Sequence, residues 1–360
     1  MATIPRFHKL QVVRLRTEGL NGKAITLHVP EALRQTFAFK AGQYMVVRAD
    51  ISGQSCRRSY SVCSTPERLL ATGEIDIGVR AVAGGVFSVW ANTELQVGQS
   101  LEAMPPEGRF VSTQDHAHHT VCFAAGSGIT PVLSLIASGL ASNAHSRYSL
   151  VYGNQRMQSV MFNESLQDLK DEYPQRLSLM HVLSRQEQDI DLLQGRIDED
   201  KVMALTRSVL PVTAIDEVFV CGPAAMMQAT LQGLAQAGVP SERIHSEHFG
   251  DGAPQTKPAT QQPKTDASAI DLHIICNGKQ HSVPMSAEDN PLAAGLQAGL
   301  DLPYSCRNGV CCTCRAKVMQ GEVSMLKNFT LTREEIAQGF VLSCQAKALT
   351  PKLVLSFDER

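Results

Sequence analysis

"CRNGVCCTC", residues 306–314, places four cysteines within nine residues, and one more cysteine follows at position 344. Three of the four are spaced Cys306-x4-Cys311-x2-Cys314, and Cys344 comes thirty residues after the last of them. One loop can therefore supply three thiolates and a later segment the fourth, which suits two irons that share two sulfides. The spacing predicts a [2Fe–2S] cluster with these four cysteines as its metal ligands.

The alternative for this cysteine loop is a structural zinc site. Such sites usually pair two Cys-x2-Cys knuckles, and the loop contains only one, so the spacing favours iron and sulfide. We expect Cys312 to be a bystander that faces away from the metal, because its neighbour Cys311 points the other way. Small residues let backbone N–H groups approach the sulfur atoms: Ser305, Asn308, Gly309 and Thr313.

Composition limits the possible classes of protein. A chain of 360 residues with 43% hydrophobic and 19% charged residues predicts two or three globular domains. The net charge of -2 gives no reason to expect nucleic acid or a membrane surface as a partner. The N-terminal stretch is too polar for a signal peptide, and no apolar run could span a bilayer. We therefore expect a cytoplasmic protein, in which clustered cysteines favour metal binding over disulfides.

The pattern along the chain predicts three domains and a linker. Residues 1–112 contain short alternating runs separated by Gly, Pro and Asn, which predict an antiparallel β-barrel. Residues 113–250 alternate strands with helices, which predicts a parallel α/β sheet. Residues 251–267 are rich in Pro, Thr and Gln, which indicates a flexible linker. Residues 268–360 predict a hairpin, a helix and the cysteine loop, in a small α+β domain.

"RRSYSVCS", residues 57–64, resembles the flavin motif of the ferredoxin–NADP reductase superfamily. The resemblance implies that Arg58 pairs with the flavin pyrophosphate and that Tyr60 lies against the ring. Ser61 would donate a hydrogen bond near the reactive ring nitrogen. The alternative is an ordinary strand with a solvated arginine. "GGVFS" follows at the expected distance, and its turn and helix start can offer backbone N–H groups to the same phosphates: Gly85, Val86, Phe87 and Ser88.

"AAGSGITP", residues 124–131, predicts a strand, a glycine turn and the start of a helix. Gly126 and Gly128 would let the backbone approach a pyrophosphate, and Pro131 suits a first helical turn. The spacing departs from the standard G-x-G-x-x-G pattern, but the stretch resembles the nicotinamide-phosphate loop of the same superfamily. The resemblance extends the predicted binding site to the rest of the turn: Ser127, Ile129 and Thr130.

Two later stretches complete the predicted redox site. In "VFVCGPAAMM", the superfamily places a cysteine beside the nicotinamide carbon that gives up hydride, and Cys221 takes that position before Gly222 and Pro223. The alternative for Cys221 is a small buried residue at the end of a strand. In "EHF", the resemblance places Glu247 and Phe249 near the flavin. The predicted catalytic residues are thus Ser61, Cys221 and Glu247.

The segment after "LVYGN" bears on the choice of dinucleotide. Asn154 ends this stretch, and Arg156 follows where an arginine can pair with the 2′-phosphate of NADPH. Relatives that prefer NADH tend to have an acidic residue here. We expect NADPH, with NADH as the alternative and a solvated loop arginine as the alternative for Arg156.

The three predicted domains form one electron-transfer chain. Hydride donors deliver two electrons together, iron–sulfur clusters accept one at a time, and a flavin handles both modes. The predicted route runs from NADPH to FAD to [2Fe–2S] and then to an outside acceptor. FAD is expected because the first domain resembles the FAD branch, although relatives with FMN share the same domain order. The third domain resembles plant-type ferredoxins, which implies a β-grasp fold.

The whole chain resembles the reductase subunits of phenylacetyl-CoA 1,2-epoxidases. The resemblance rests on "AAGSGITP", "DLKDEYPQRL", "DLLQGRID", "CGPAAMM" and "GFVLSCQA". It implies that electrons go to a di-iron oxygenase subunit that epoxidises the aromatic ring. Two alternatives stay open, namely a reductase for a Rieske-type oxygenase such as a steroid hydroxylase, and a stand-alone NAD(P)H:acceptor reductase. A redox sensor would leave the flavin and nicotinamide motifs unexplained.

Overall fold

The computed structural model describes residues 6–113, 118–249 and 269–359. The chain divides into two compact units. The first unit holds the strands up to His248, except that Arg57–Ser59 group with the second unit, which holds the strands from Ala269 onward. The predicted linker, residues 251–267, lies outside the described residues.

The first unit begins with a six-stranded antiparallel sheet in the order β4-β3-β6-β1-β2-β5. Its strands are β1 (His8–Glu18), β2 (Gly22–His28), β3 (Tyr44–Ile51), β4 (Gln54–Ser61), β5 (Glu74–Arg80) and β6 (Ser100–Ala103). A bridge between Val62 and Ile77 joins the two edge strands, β4 and β5. The sheet therefore closes on itself, which removes exposed strand edges, and the predicted antiparallel barrel is confirmed.

The barrel encloses its own hydrophobic core, which alternate residues of the strands fill. Ile25 and Leu27 on β2 face Ile75 and Ile77 on β5, and all four side chains are fully buried. Each such burial contributes about 2 kcal/mol to folding. Three short helices lie between the barrel strands in the chain: α1 (Glu31–Arg34), α2 (Pro66–Thr72) and α3 (Val86–Thr93).

A five-stranded parallel sheet follows in the order β11-β10-β7-β8-β9. Its strands are β7 (His119–Ala125), β8 (Arg147–Asn154), β9 (Leu177–Leu183), β10 (Glu217–Gly222) and β11 (Ile244–His248). The intervening helices are α4 (Ile129–Ser142), α5 (Asn163–Glu172), α6 (Glu199–Ser208) and α7 (Ala224–Gln236). Every residue of β10 is buried, as expected for a central parallel strand covered on both faces. In such sheets ligands bind beyond the carboxyl ends of the strands.

One buried carboxylate fastens the connection between the barrel and the parallel sheet. Ser112 Oγ donates to Glu217 Oε2 at 2.5 Å, and both the N–H and the Oγ1 of Thr113 donate to Glu217 Oε1 at 2.9 Å. Burial alone would raise the pKa of Glu217, but these donors and His245 outweigh it and lower the pKa to about 2. Glu217 is therefore ionised at neutral pH and holds the connecting segment to the start of β10.

The second unit is a mixed five-stranded sheet in the order β13-β12-β18-β14-β16, with a separate two-stranded sheet of β15 and β17. Its strands are β12 (Ala269–Cys276), β13 (Lys279–Ser286), β14 (Arg315–Gln320), β15 (Val323–Met325), β16 (Phe340–Leu342), β17 (Ala346–Ala348) and β18 (Lys352–Ser356). Its helices are α8 (Pro291–Gln297) and α9 (Arg333–Ala337). Asn290 caps α8 by accepting from Ala293 N at 2.9 Å. The cysteine loop connects α8 to β14.

No helix in the described parts of the chain is long and apolar enough to cross a membrane.

Candidate redox site

The two halves of the predicted flavin motif meet at one end of the barrel. Tyr60, near the end of β4, lies with its ring centroid 5.4 Å from that of Phe87, in the first turn of α3. Phe87 is fully buried and makes an edge contact with Trp90 at 5.6 Å. Arg58 lies two residues before Tyr60 on the same strand, where its guanidinium donates to the carbonyl of Arg57 at 2.7 Å. The fold thus unites two motifs that are well separated in sequence.

The turn before α3 has a backbone that favours glycine. Gly84 has a φ of +74°, and a Cβ on Gly85 would lie 2.4 Å from Ser88 Oγ. That hydroxyl accepts from Val82 N at 3.2 Å and so holds the turn closed. No side chain of the described residues caps the helix, so the first backbone N–H groups of α3 stay available to an anion. The geometry fits the predicted phosphate-binding role of this turn.

The glycine turn "GSG" lies between β7 and α4 at the carboxyl edge of the parallel sheet. Gly126 has a φ of +55°, and Tyr152 donates to its carbonyl at 2.8 Å. A Cβ on Gly128 would lie 2.1 Å from the carbonyl oxygen of Cys221. Thr130 Oγ1 donates to the carbonyl of Ser127 at 2.9 Å. The turn therefore needs both glycines, one for its conformation and one for its close approach to β10.

Arg80 is a candidate ligand that the motifs did not single out. From the sequence it could equally be a surface residue, but its guanidinium lies against the glycine turn. A Cβ on Gly126 would be only 2.4 Å from Arg80 Nη1. A cation beside a predicted pyrophosphate turn suits an anionic ligand. The signal in the sequence was only its place at the end of β5, between the two flavin motifs.

The three predicted catalytic residues meet around one buried carboxyl group. Cys221 on β10 and Glu247 on β11 are direct partners in the parallel register. Ser61, at the end of β4, donates to Glu247 Oε2 at 3.1 Å. Burial and the nearby Glu247 raise the pKa of the Cys221 thiol well above its ordinary value, so the thiol stays protonated. Phe249 follows on the same segment and packs against the core of the parallel-sheet domain.

The environment of Glu247 holds its carboxyl group neutral at physiological pH. Burial raises the pKa of Glu247 to about 8, and the hydrogen bond from Ser61 opposes this only in part. The side chain keeps some accessible surface, but protein atoms surround the carboxyl group densely enough for desolvation to dominate. A neutral carboxyl beside a thiol and a hydroxyl can hold or deliver a proton at Oε1 or Oε2.

The pKa of Glu247 predicts how stability depends on pH. Between the ordinary value of 4.5 and about 8 the folded state binds more protons than the unfolded state, so stability falls as pH rises through this window. We expect the wild type to lose stability here by at most about 1.4 kcal/mol per pH unit relative to Glu247→Gln. Urea unfolding at pH 5, 6.5 and 8 would measure this difference. Glu242→Gln, an exposed change on the preceding turn, should follow the wild-type curve, and parallel curves for Glu247→Gln would contradict the prediction.

The carboxyl end of β8 is the candidate site for the adenosine end of the dinucleotide. Asn154 ends the strand, and both polar atoms of its buried side-chain amide lack a hydrogen bond of normal geometry within the described residues. Arg156 is exposed in the loop that follows. The N–H of Arg185 donates to the carbonyl of Gln155 at 2.9 Å, so a second arginine lies in the adjacent segment. Sequence analysis missed Arg185, because only the pairing of β8 with β9 brings it there.

The four predicted metal ligands gather in the second unit as two pairs. Cys311 donates to the sulfur of Cys306 at 3.1 Å, which lowers the pKa of Cys306 to about 6 and raises that of Cys311. Cys314 and Cys344 share a hydrogen bond in the same way. Among the described residues no three His, Cys, Asp or Glu side chains converge on a point that would hold a single ion. Two pairs of thiols fit one iron each in a two-iron cluster.

Polar groups around these sulfurs fit a cluster as well. The N–H of Asn308 points at Cys306 Sγ at 3.3 Å, and Gln345 Nε2 lies 3.7 Å from Cys344 Sγ. Gly309 has a φ of +74°, and a Cβ there would lie 2.9 Å from the carbonyl oxygen of Lys327. Cys312 is partly buried against the core of the second unit. The donors can stabilise the negative charge of cluster sulfurs.

Comparison with protein-family models assigns a domain type to each part of the chain. An oxidoreductase FAD-binding domain matches residues 10–111, an oxidoreductase NAD-binding domain matches 123–232, and a 2Fe-2S iron-sulfur cluster binding domain matches 274–349. The three matches follow the order of the barrel, the parallel sheet and the cysteine domain.

Curated relatives match this chain along almost its full length. One component of the 1,2-phenylacetyl-CoA epoxidase of Escherichia coli (strain K12) is 39% identical over 98% of this chain and 98% of its own. The 3-ketosteroid-9-alpha-monooxygenase, ferredoxin reductase component, of Rhodococcus rhodochrous is 32% identical over 97% of this chain and 96% of its own. The chain belongs to this family of oxygenase reductases. The expected resemblance to the epoxidase reductases is confirmed, and the chain is an oxidoreductase with FAD-binding, NAD-binding and 2Fe-2S domains.

Two solved structures share the fold of this chain. Phthalate dioxygenase reductase, described as a modular structure for electron transfer from pyridine nucleotides to [2Fe-2S], aligns with a TM-score of 0.60 at 22% identity over 98% of both chains. An intact type IV self-sufficient cytochrome P450 monooxygenase aligns with a TM-score of 0.67 at 23% identity, over 97% of this chain and 41% of its own. These likenesses support the predicted multidomain fold of the family.

Proposed function

We propose that this oxygenase reductase takes electrons from NADPH and delivers them to the di-iron oxygenase of a phenylacetyl-CoA 1,2-epoxidase. The observation that carries the proposal is the 39% identity to the Escherichia coli epoxidase component along almost the full length of both chains. The 3-ketosteroid-9-alpha-monooxygenase reductases are less similar to this chain, at 32% identity or below. A Rieske-type or other oxygenase is therefore the second candidate for the electron acceptor.

The residues of the site indicate how the chain would pass electrons from NADPH to the oxygenase. With FAD and [2Fe–2S] bound, the chain can accept the two electrons of a hydride together and release them singly. Arg58 and the first turn of α3 would hold the flavin pyrophosphate, and Tyr60 would support the ring. The turn from Gly126 to Gly128 would hold the dinucleotide phosphates. The neutral Glu247 and the hydroxyl of Ser61 would hold a proton where the nicotinamide and the flavin meet.

The proposed metal ligands would hold the two irons, and polar groups beside them would stabilise the negative charge of the cluster. Cys306 and Cys311 would bind one iron, and Cys314 and Cys344 the other. Backbone N–H groups near Cys306 would favour the more negative, reduced form.

Reconstitution with purified oxygenase tests the proposed pathway. The reductase would be mixed with the di-iron oxygenase of a phenylacetyl-CoA epoxidase, NADPH and oxygen, and consumption of phenylacetyl-CoA would be followed. The proposal expects turnover that depends on the reductase. A Rieske-type oxygenase component with its own substrate, supplied in place of the di-iron oxygenase and phenylacetyl-CoA, serves as the control. Turnover with the Rieske component alone would move the protein to another pathway.

Two observations support the proposed preference for NADPH. Two arginines, Arg156 and Arg185, follow β8 in the chain, and the strand ends at Asn154 and not at a carboxylate. In dinucleotide-binding sheets an acid at the end of the second strand binds the ribose 2′-hydroxyl of NAD, whereas an arginine accommodates the 2′-phosphate of NADP. The backbone hydrogen bond from Arg185 N to the carbonyl of Gln155 makes their segments adjacent, and we propose that both guanidinium groups would face that phosphate.

Removing either arginine should weaken NADPH use selectively. We expect Arg156→Ala and Arg185→Ala each to raise the KM for NADPH on the order of tenfold, as for loss of one charge-assisted hydrogen bond, with the KM for NADH changed by less than about twofold. Steady-state cytochrome c reduction with each dinucleotide would measure this. Arg147→Ala, an exposed change at the opposite end of β8, is the matched control. Equal effects on both dinucleotides would exclude these arginines from phosphate recognition.

A further inference from the structure

The side-chain amide of Gln345 is enclosed between the cysteine loop and the segment that carries the fourth predicted ligand. Gln345 directly follows Cys344 and is only 8% exposed. Its Nε2 donates to the carbonyl of Arg307 at 3.0 Å and to that of Cys344 at 3.1 Å. The same nitrogen lies 3.7 Å from Cys344 Sγ, within reach of a hydrogen bond to sulfur. One amide group therefore contacts both the cysteine loop and the sulfur that arrives from later in the chain.

These three neighbours determine which end of the Gln345 amide faces the sulfur. Two of them are carbonyl oxygens, which only accept hydrogen bonds, so the amide must present its NH2 group and not its oxygen. The NH2 group has two N–H bonds for three acceptors. An ionised sulfur attracts a donor more strongly than a neutral carbonyl does. With Cys344 bound to iron as a thiolate, we therefore expect one N–H of Gln345 to point at its sulfur.

The surrounding backbone keeps the Gln345 side chain in this position. Gln345 N donates to the carbonyl of Leu342 at 2.8 Å, and Leu326 N donates to the carbonyl of Gln345 at 3.0 Å. A Cβ on Gly309 would lie 3.2 Å from Gln345 Cγ, so a glycine leaves room for the side chain. A hydrogen bond in such a buried place is electrostatically stronger than one in water.

Ser343, on the other side of Cys344, connects the same two segments but cannot act on a sulfur in this way. Its side chain is fully buried, and its Oγ donates to the carbonyl of Cys314 at 2.8 Å. A serine hydroxyl has a single O–H, and this carbonyl uses it. Ser343 and Gln345 thus both tie the ligand segment to the cysteine loop, whereas only Gln345 has a further N–H to offer to Cys344.

We propose that Gln345 donates an N–H to the sulfur of Cys344 and thereby raises the reduction potential of the cluster. This inference rests on the proposed [2Fe–2S] site at the four cysteines. One electron from the reduced flavin adds one negative charge to the cluster and its sulfurs, and no bond to Gln345 forms or breaks. A donor to a ligand sulfur stabilises the more negative state more than the oxidised state. Gln345 is therefore a positioning residue that controls how readily the cluster accepts an electron.

A redox titration of the full-length protein tests the inference without any use of turnover. The electron paramagnetic resonance signal of the reduced cluster would be followed against the applied potential. Gln345→Met keeps a similar length but has no N–H, and we expect it to lower the equilibrium constant for reduction about tenfold, a midpoint about 59 mV more negative. Gln345→Glu keeps the shape of the side chain and should shift the midpoint in the same direction, because a carboxylate has no N–H.

Ser343→Ala is the matched control, because it removes a hydrogen bond between the same two segments and leaves the donor to sulfur in place. It should change the equilibrium constant for reduction by less than about twofold. An unchanged midpoint in Gln345→Met, or an equal shift in Ser343→Ala, would overturn the inference. Loss of iron from both Gln345 variants would also overturn it, because Gln345 would then be needed only to build the site. Failure of the wild type to hold iron and sulfide would overturn the proposed function itself.

Discussion

Replacing Cys344 with serine should lower NADPH-driven cytochrome c reduction by two orders of magnitude or more while reduction of ferricyanide continues. Cys344 forms one of the two thiol pairs with Cys314, and loss of one ligand removes the iron that this pair would hold. On the proposed route cytochrome c accepts electrons from the iron–sulfur domain, whereas ferricyanide can take them directly at the flavin. Steady-state assays with both acceptors on the same preparation would measure the two effects together.

Cys312→Ala is the matched control for this variant, because it alters a cysteine of the same loop that we predict not to bind iron. It should retain cytochrome c reduction and the electron paramagnetic resonance signal of the reduced cluster. Loss of that signal would make Cys312 a ligand. If Cys344→Ser lost both activities while it still contained FAD, a serial route through the flavin and then the cluster would be wrong.

Replacing Ser61 with alanine should slow flavin reduction by NADPH on the order of 100-fold, the usual effect of losing a positioned donor at a reacting centre. Ser61 is the hydrogen-bond partner of Glu247 Oε2, and the proposed role places its hydroxyl at the reactive ring nitrogen of the flavin. The flavin content and the Kd of NADPH should change little, because the proposed phosphate contacts involve Arg58 and the two glycine turns. Stopped-flow absorbance under anaerobic conditions would measure the reduction rate.

The same unit offers a matched pair for comparison. Ser138 on α4 also contacts a glutamate, Glu67, at 3.4 Å, and this pair lies outside the proposed redox site. Ser138→Ala should therefore leave flavin reduction at the wild-type rate. If Ser61→Ala changed the rate of flavin reduction by less than about threefold, the Ser61 hydroxyl would not act as the positioned donor that we expect.

Local patterns were sufficient to predict the domain types and their order. The cysteine spacing specified a loop with three thiolates and a distant fourth, and the fold gathers all four as two pairs. The glycines at 126 and 128 indicated a tight strand-to-helix turn, which the structure forms. Alternation of apolar residues indicated strands, and helical spacing indicated helices, because each element must bury one face.

Other parts of the site depend on contacts between residues that are distant in sequence. Arg80 reaches the glycine turn from a barrel strand, and nothing in the sequence near residue 80 indicates a turn that comes so much later in the chain. Arg185 becomes a neighbour of the Arg156 segment only through the pairing of β8 with β9. The linker between residues 251 and 267 lies outside the described residues, so its predicted flexibility stays a prediction.

Short stretches of sequence specify the donor types and the backbone conformations of this protein, because a thiolate, a glycine with positive φ or a buried β-branched run is a property of a few neighbouring residues. Which groups share an environment depends on how the elements pack. The raised pKa of Glu247 results from burial, and the hydrogen bond from Ser61 opposes it only in part. Ser61 and Cys221, the register partner of Glu247, come from two other strands. Desolvation and hydrogen bonding depend on all the atoms within a few ångströms, and a one-dimensional pattern does not contain those distances.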